Sequence, residues 1–129
     1  MSNKKGKGAT HQPFEGRDPK GQFCKITFDM RKSEAWQSLC LRQRGLYEEL
    51  KSKYRQTVER GQLVSSNIDN ISMPESEWRK LYGNYRTFRA DMDTLTDRGF
   101  IKTIARGKCS RTPNIYGFSA DWQLWKKTD

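Results

Sequence analysis

Arg86 and Arg89 stand one helical turn apart in "NYRTFRADMD", residues 84–93. A guanidinium is a planar fork, able to donate two parallel hydrogen bonds to a carboxylate, a phosphate or the O6/N7 edge of guanine. At 100° per residue, Phe88, Met92 and Leu95 converge on one side of such a helix. Arg86, Arg89, Ala90 and Asp93 collect on the other, with Tyr85 at its edge and Thr87 on the opposite flank. Asn84 precedes the run and suits an N-cap. The first turns of this helix can therefore meet base edges through Arg86 and Arg89, and bases or phosphates through Asn84, Tyr85 and Thr87. The plainer alternative is a solvated charged face, which most surface helices have.

Three acids sit in the same helix. Asp93 lies four residues after Arg89 and can pair with it, and a carboxylate can also accept from cytosine N4. Asp91 falls at the rim of the buried side, where it calls for an arginine from another element. Asp97, near the helix C-terminus, opposes the macrodipole and is expected in water.

A second basic cluster follows. Arg106, Lys108 and Arg111 share a turn with Gly107 and Pro113, and Lys102 precedes them on a strand. Cations concentrated on a loop suit phosphate or minor-groove contacts. Arg79 and Lys80, late in the preceding helix, are further phosphate candidates.

The chemistry of an enzyme is not expected. The one histidine, His11, lies in a polar N-terminal stretch, so no Ser–His–Asp or Cys–His arrangement is available. Cys24, Cys40 and Cys109 are far apart without ligand-like spacing, and reduced thiols are expected. Asp91 and Asp93 point about 200° apart on a helix and cannot share a metal ion. "KKGKG" has neither strand nor helix around it for a phosphate loop. Neither cofactor nor metal is implied.

The elements that must position these side chains lie within 129 residues carrying a formal charge of +10. The first 22 residues hold five basic and two acidic side chains, so most of the excess lies beyond them. That balance favours a polyanionic partner. No run approaches the ~20 apolar residues of a spanning helix, so membrane insertion is not expected. The basic N-terminus has no apolar stretch behind it, and a cytoplasmic location is expected.

Residues 1–21 are lysine-, glycine- and proline-rich, a flexible basic tail. "FCKITFDM" (Phe23–Met30) alternates with period two and predicts a half-buried strand. Ser33 can cap a helix, and Trp36, Leu39, Cys40, Leu46, Tyr47, Leu50 and Tyr54 form an apolar stripe, with a break near Cys40–Leu41. Residues 55–72 predict a polar loop with a short strand around Leu63–Val64. Ser72 and Glu75 have capping-box spacing, with Pro74 in the first turn of a helix that stops at Gly83. The helix after Asn84 runs to about Arg98, Gly99 ends it, "FIKTIA" is a strand and "NIYGFS" its returning partner.

Two short helices joined by a glycine turn and followed by a hairpin make a winged helix–turn–helix. "AWQSL", "RGLYEEL", "ISMPESEWRKLYGNYRTF", "TLTDRGFI" and "IYGFSADW" fall in the order of a known group. Over about Phe23 to Trp122 the chain resembles the winged-helix DNA-binding proteins of bacterial phages, plasmids and integrated mobile elements, often labelled replication-protein-like. The resemblance implies an α+β fold: a winged helix-turn-helix domain over 22–125 with an N-terminal strand, about three main helices, a two-stranded β-hairpin wing and a short tail at 126–129. It implies double-stranded DNA binding, with Asn84, Tyr85, Arg86, Thr87, Arg89, Ala90 and Asp93 on the reading helix. Lys102, Arg106, Lys108 and Arg111 would serve the wing, beside Arg79 and Lys80. Replication and transcriptional control both fit. Asp91 departs from the small residue such proteins more often carry there.

Other partners stay open. A protein partner could use the helix face or the aromatics Tyr82, Tyr85 and Trp125, expected to be exposed. RNA could use the tail and hairpin. A homodimer could pair through "WQLWKK", of which Trp122 is better read as core.

Overall fold

Ser33 shows how this chain starts its helices. In the computed structural model, which describes residues 12–20, 22–107 and 112–128, its hydroxyl accepts from the Trp36 amide at 3.1 Å. Thr27 does the same for Met30, also at 3.1 Å. That second cap starts a helix, α1 (Phe28–Lys32), where the alternation had predicted a strand. The correction has a local cause: Thr27 offers the backbone a capped turn, and the preceding residues 22–27 pair with no neighbouring strand. Ile26 and Met30 still pack on the core, whereas Cys24 and Phe28 face solvent.

A serine junction leads to α2 (Glu34–Gln37), and the break near Cys40 is present. Cys40 is the exposed N-cap of α3 (Leu41–Lys51), not a member of the buried stripe. Trp36, Leu39, Leu46, Tyr47 and Leu50 are buried as expected.

Residues 55–72 depart most from expectation. They hold a hairpin, β1 (Gln56–Glu59) and β2 (Gln62–Ser66), in place of a loop with one short strand. Its turn is Arg60-Gly61, both at positive φ (55° and 79°), the backbone a two-residue hairpin requires. Every residue of both strands is exposed.

The chain then runs beside the segment around Tyr116. Ile71 exchanges both backbone hydrogen bonds with Tyr116, at 2.9 and 2.7 Å. Pro74, rather than a Ser72–Glu75 box, caps α4 (Glu75–Leu81), and no side chain completes the cap. Proline at this position forfeits nothing, since the first helical amides have no partner anyway. Asn84 caps α5 (Tyr85–Asp97) as predicted, its Oδ1 accepting from the Thr87 amide at 2.9 Å. Gly83 between the two helices lacks a positive φ, and a Cβ there would meet open space. The turn does not need its glycine.

Gly99 is different. Its φ is +88°, and a Cβ would lie 2.6 Å from backbone atoms of Asp121 and Trp122. The close approach lets the C-terminal turn Asp121–Gln123 seat Trp122 flat against Phe100, ring centroids 6.2 Å apart. Beyond it β3 (Ile101–Ala105) and β4 (Ile115–Phe118) pair antiparallel, with a bulge between Thr103 and Ala105. The described residues thus form a mixed α+β fold of five helices and two antiparallel hairpins, with α3, α4 and α5 as the longer helices. None of these helices is long and apolar enough to cross a membrane.

Candidate functional site

α5 divides sharply between a face held by the core and a face left to solvent. Phe88, Met92 and Leu95 are buried, the last completely. Asp91 lies among them at 1% exposure. The arginine it calls for is Arg42, in the first turn of α3: Nε donates to Oδ2 at 2.6 Å and an Nη donates to Oδ1 at 2.9 Å. The Tyr82 hydroxyl donates to Oδ2 at 2.6 Å and the Gln43 amide to Oδ1 at 3.2 Å. Burial pushes the Asp91 carboxyl up, but the hydrogen bonds from Arg42, Tyr82 and Gln43 outweigh it and hold the group below the usual carboxylate range. Burial, with Asp91 beside it, pushes the Tyr82 phenol well above its ordinary value. Tyr82 is therefore a buried tie and not the exposed aromatic expected from the sequence. Four residues from three segments clamp the inner face of α5 to the rest of the fold.

Sequence reasoning foresaw an arginine for Asp91 but not which one. A signal was available: α3 opens with Arg42 and Arg44 and no acid, against the usual preference at a helix N-terminus. Arginines placed there are spoken for elsewhere. Arg44 reaches the Trp36 carbonyl at 3.2 Å and lies over the Trp36 ring.

The outer face carries the predicted residues. Asn84, Tyr85, Arg86, Arg89, Ala90 and Asp93 are exposed, and Thr87 is half-buried. Arg89 lies along the helix, with Asp93 Oδ1 at 3.6 Å from its Nε and the Tyr85 hydroxyl at 3.5 Å from an Nη. Arg86 has no ion-pair partner among the described residues. Asp97 is exposed as expected and pairs with Arg98, whose guanidinium also lies 4.7 Å from the Trp125 ring centroid. Trp125 is thereby half-covered, while Trp122 is core.

Of the other predicted cations, Arg79 pairs with Glu75 and stacks on Trp78 at 5.0 Å. Lys80 and Arg106 are exposed, and Lys102 stands 3.9 Å from Asp69. Lys108 and Arg111 lie outside the described residues, as do residues 1–11 of the predicted tail. The base of their loop is described: Asn114 Oδ1 accepts from the Gly107 amide at 2.8 Å, and its Nδ2 donates to the Tyr116 hydroxyl at 3.2 Å.

Of the predicted residues, three meet at a cleft of about 440 Å³ between α4, α5 and the loop end of the β3–β4 hairpin. Arg79, Tyr85 and Arg89 line it with Trp78, Phe88, Tyr116, Pro113 and Asn114. Trp78 and Phe88 stack at 5.4 Å with an interplanar angle of 11°, and Tyr85 sits 5.5 Å from Trp78. Sequence reasoning placed Tyr85 and Arg89 on one helix face and Arg79 apart from them, and missed the aromatic wall, because Trp78 and Tyr116 look like ordinary core residues from their spacing. Two guanidinium groups over an aromatic wall can hold an anion that carries a planar apolar part. Among the described residues no cluster of His, Cys, Asp and Glu could hold a metal ion. No family model matches the chain, and no curated protein or solved structure matches it either.

Proposed function

We propose that the protein binds double-stranded DNA as a winged helix–turn–helix, with α4 and α5 as the helix pair and β3–β4 as the wing. In this reading α5 enters the major groove, where Arg86 and Arg89 meet base edges and Asn84, Tyr85, Thr87, Ala90 and Asp93 surround them. Arg79, Lys80, Lys102 and Arg106, together with Lys108 and Arg111, meet phosphates. The N-terminal tail adds loose electrostatic contacts. The duty is replication or transcriptional control of a phage, plasmid or other mobile element, carried out in the cytoplasm and without catalysis.

The observation that carries the reading is the asymmetry of α5. Its inner face is fixed by a buried carboxylate with three donors, while its outer face presents Arg86 without an ion-pair partner among the described residues and Arg89 bonded only along its own helix. Such a helix is rigidly aimed with its cations outward, as a base-reading element must be. The test is fluorescence anisotropy against a random duplex pool and matched single strands over a salt series. Duplex binding that weakens steeply with salt and yields a motif on selection is the expected result. No binding at low salt would overturn the reading.

A protein partner is a second reading with its own support. Val58, Leu63 and Val64 on the β1–β2 hairpin are 49%, 60% and 56% exposed, apolar side chains that DNA contact would leave unused.

A further inference from the structure

We propose that the cleft between α4, α5 and the β3–β4 hairpin is a binding site for one unstacked nucleotide. Its base would lie on Tyr85 and its phosphate between Arg79 and Arg89. The site shares Arg79, Tyr85 and Arg89 with the duplex reading but takes them on the side of α5 that meets α4 and the hairpin, and nucleotide titration tests it apart from duplex binding.

Three features select the occupant. Tyr85 is an aromatic ring 51% exposed at the lip, and Trp78 and Phe88 hold it from behind at 5.5 and 6.2 Å. An exposed ring kept in place in this manner is a stacking platform, and bases of any identity have a face to offer it. The cations are placed for an anion at the same opening: Arg79 is braced on Trp78 and Arg89 on the Tyr85 hydroxyl. Each has an acid beside it, Glu75 and Asp93, both on exposed helix turns where a phosphate can displace them. Finally, the far wall is tied together: Asn114 Oδ1 accepts from the Gly107 amide and its Nδ2 donates to the Tyr116 hydroxyl. The volume of about 440 Å³ lies within the range of small-ligand sites.

The nucleotide could be a free mononucleotide or one residue of a single strand, and the test separates the two. The full chain, labelled with ¹⁵N, is titrated with dTMP, dAMP, deoxyribose 5-phosphate and a short oligothymidylate, following backbone amide shifts. The expected result is saturable movement of the Tyr85, Arg89, Asn114 and Tyr116 amides with both mononucleotides, and binding about tenfold weaker once the base is absent. Tyr85→Leu and Arg89→Gln should each weaken dTMP by about tenfold, whereas Lys32→Gln, which removes the same charge from α1, leaves it unchanged. Tighter binding of the oligothymidylate through the same amides assigns the site to a strand, and equal binding assigns it to the free nucleotide. Shifts that are absent at millimolar nucleotide, that fall outside the cleft, or that are the same with deoxyribose phosphate overturn the proposal. Duplex binding with a silent cleft overturns it alone, while a responsive cleft without duplex binding overturns only the duplex reading.

Discussion

The two faces of α5 carry charge in opposite ways. On the inner face Asp91 is enclosed and every oxygen is met by a donor within 3.2 Å. On the outer face Arg89 and Asp93 are separated by 3.6 Å and remain largely in water. A buried carboxylate is tolerable only with its full complement of partners, so the inner charges fix geometry and are costly to disturb. The outer pair contributes little to stability and is free to be exchanged for another partner. Rigidity lies on one side of the helix and, in the proposed reading, recognition on the other, and substitutions should separate them cleanly.

The largest effect belongs to the inner face. Leu95 is fully buried beneath α5, and Leu95→Ala should cost about 3–4 kcal/mol in denaturant unfolding. A loss below about 1 kcal/mol would mean that α5 is not seated on the core as described. On the outer face, Arg86→Ala with Arg89→Ala should leave the melting temperature nearly unchanged. If each arginine meets a base, duplex binding falls about a hundredfold or more. Unchanged duplex affinity would remove α5 from the interface.

Asp91→Asn tests the clamp that keeps the faces distinct. It retains the shape but loses the charge opposite Arg42, and should cost about 2 kcal/mol at pH 7. The pH dependence has a definite sign. A carboxyl held below its unfolded value stabilises the fold fully above that value, about 3.9 for aspartate, and loses the contribution as pH falls through the lower folded value. The gap between wild type and Asp91→Asn should therefore be constant near neutrality and close below about pH 4. A gap that persists at low pH would show that packing, not the charge, holds α5.

Much of this was legible in the sequence. The period of Phe88, Met92 and Leu95 oriented α5, and Asn84 marked its start. Asp91 announced itself as an acid on an apolar face. The partner stayed hidden because Arg42 and Asp91 are 49 residues apart, and no local spacing connects them. The hairpins differ in the same way. β3–β4 was visible because its strands end in apolar residues that must be covered, and its partner Tyr116 is tied to Ile71 as well. β1–β2 has no buried face to set a period, and its turn is Arg60-Gly61 instead of the Asn-Gly or Asp-Gly that signals a two-residue loop. The Phe23–Met30 alternation misled for the converse reason: a pattern of two was present without a strand to pair with it.

The contrast between hairpins supplies the smallest predicted effect. Val58 and Leu63 are cross-strand partners, both exposed, so neither is seated on the core. Replacing both with threonine places β-branched, strand-compatible side chains at both positions and removes only solvent-facing apolar surface. The expected change in stability is within about 0.5 kcal/mol, against several times that for Ile101→Thr, the buried residue of β3. A larger loss for the Val58→Thr, Leu63→Thr variant, growing with protein concentration, would mean that the first hairpin is covered by a second copy in solution. It would then belong with the inner face of α5, as a structural surface. An unchanged melting temperature with loss of a captured protein partner would instead place the hairpin with the outer face, as a surface kept for recognition.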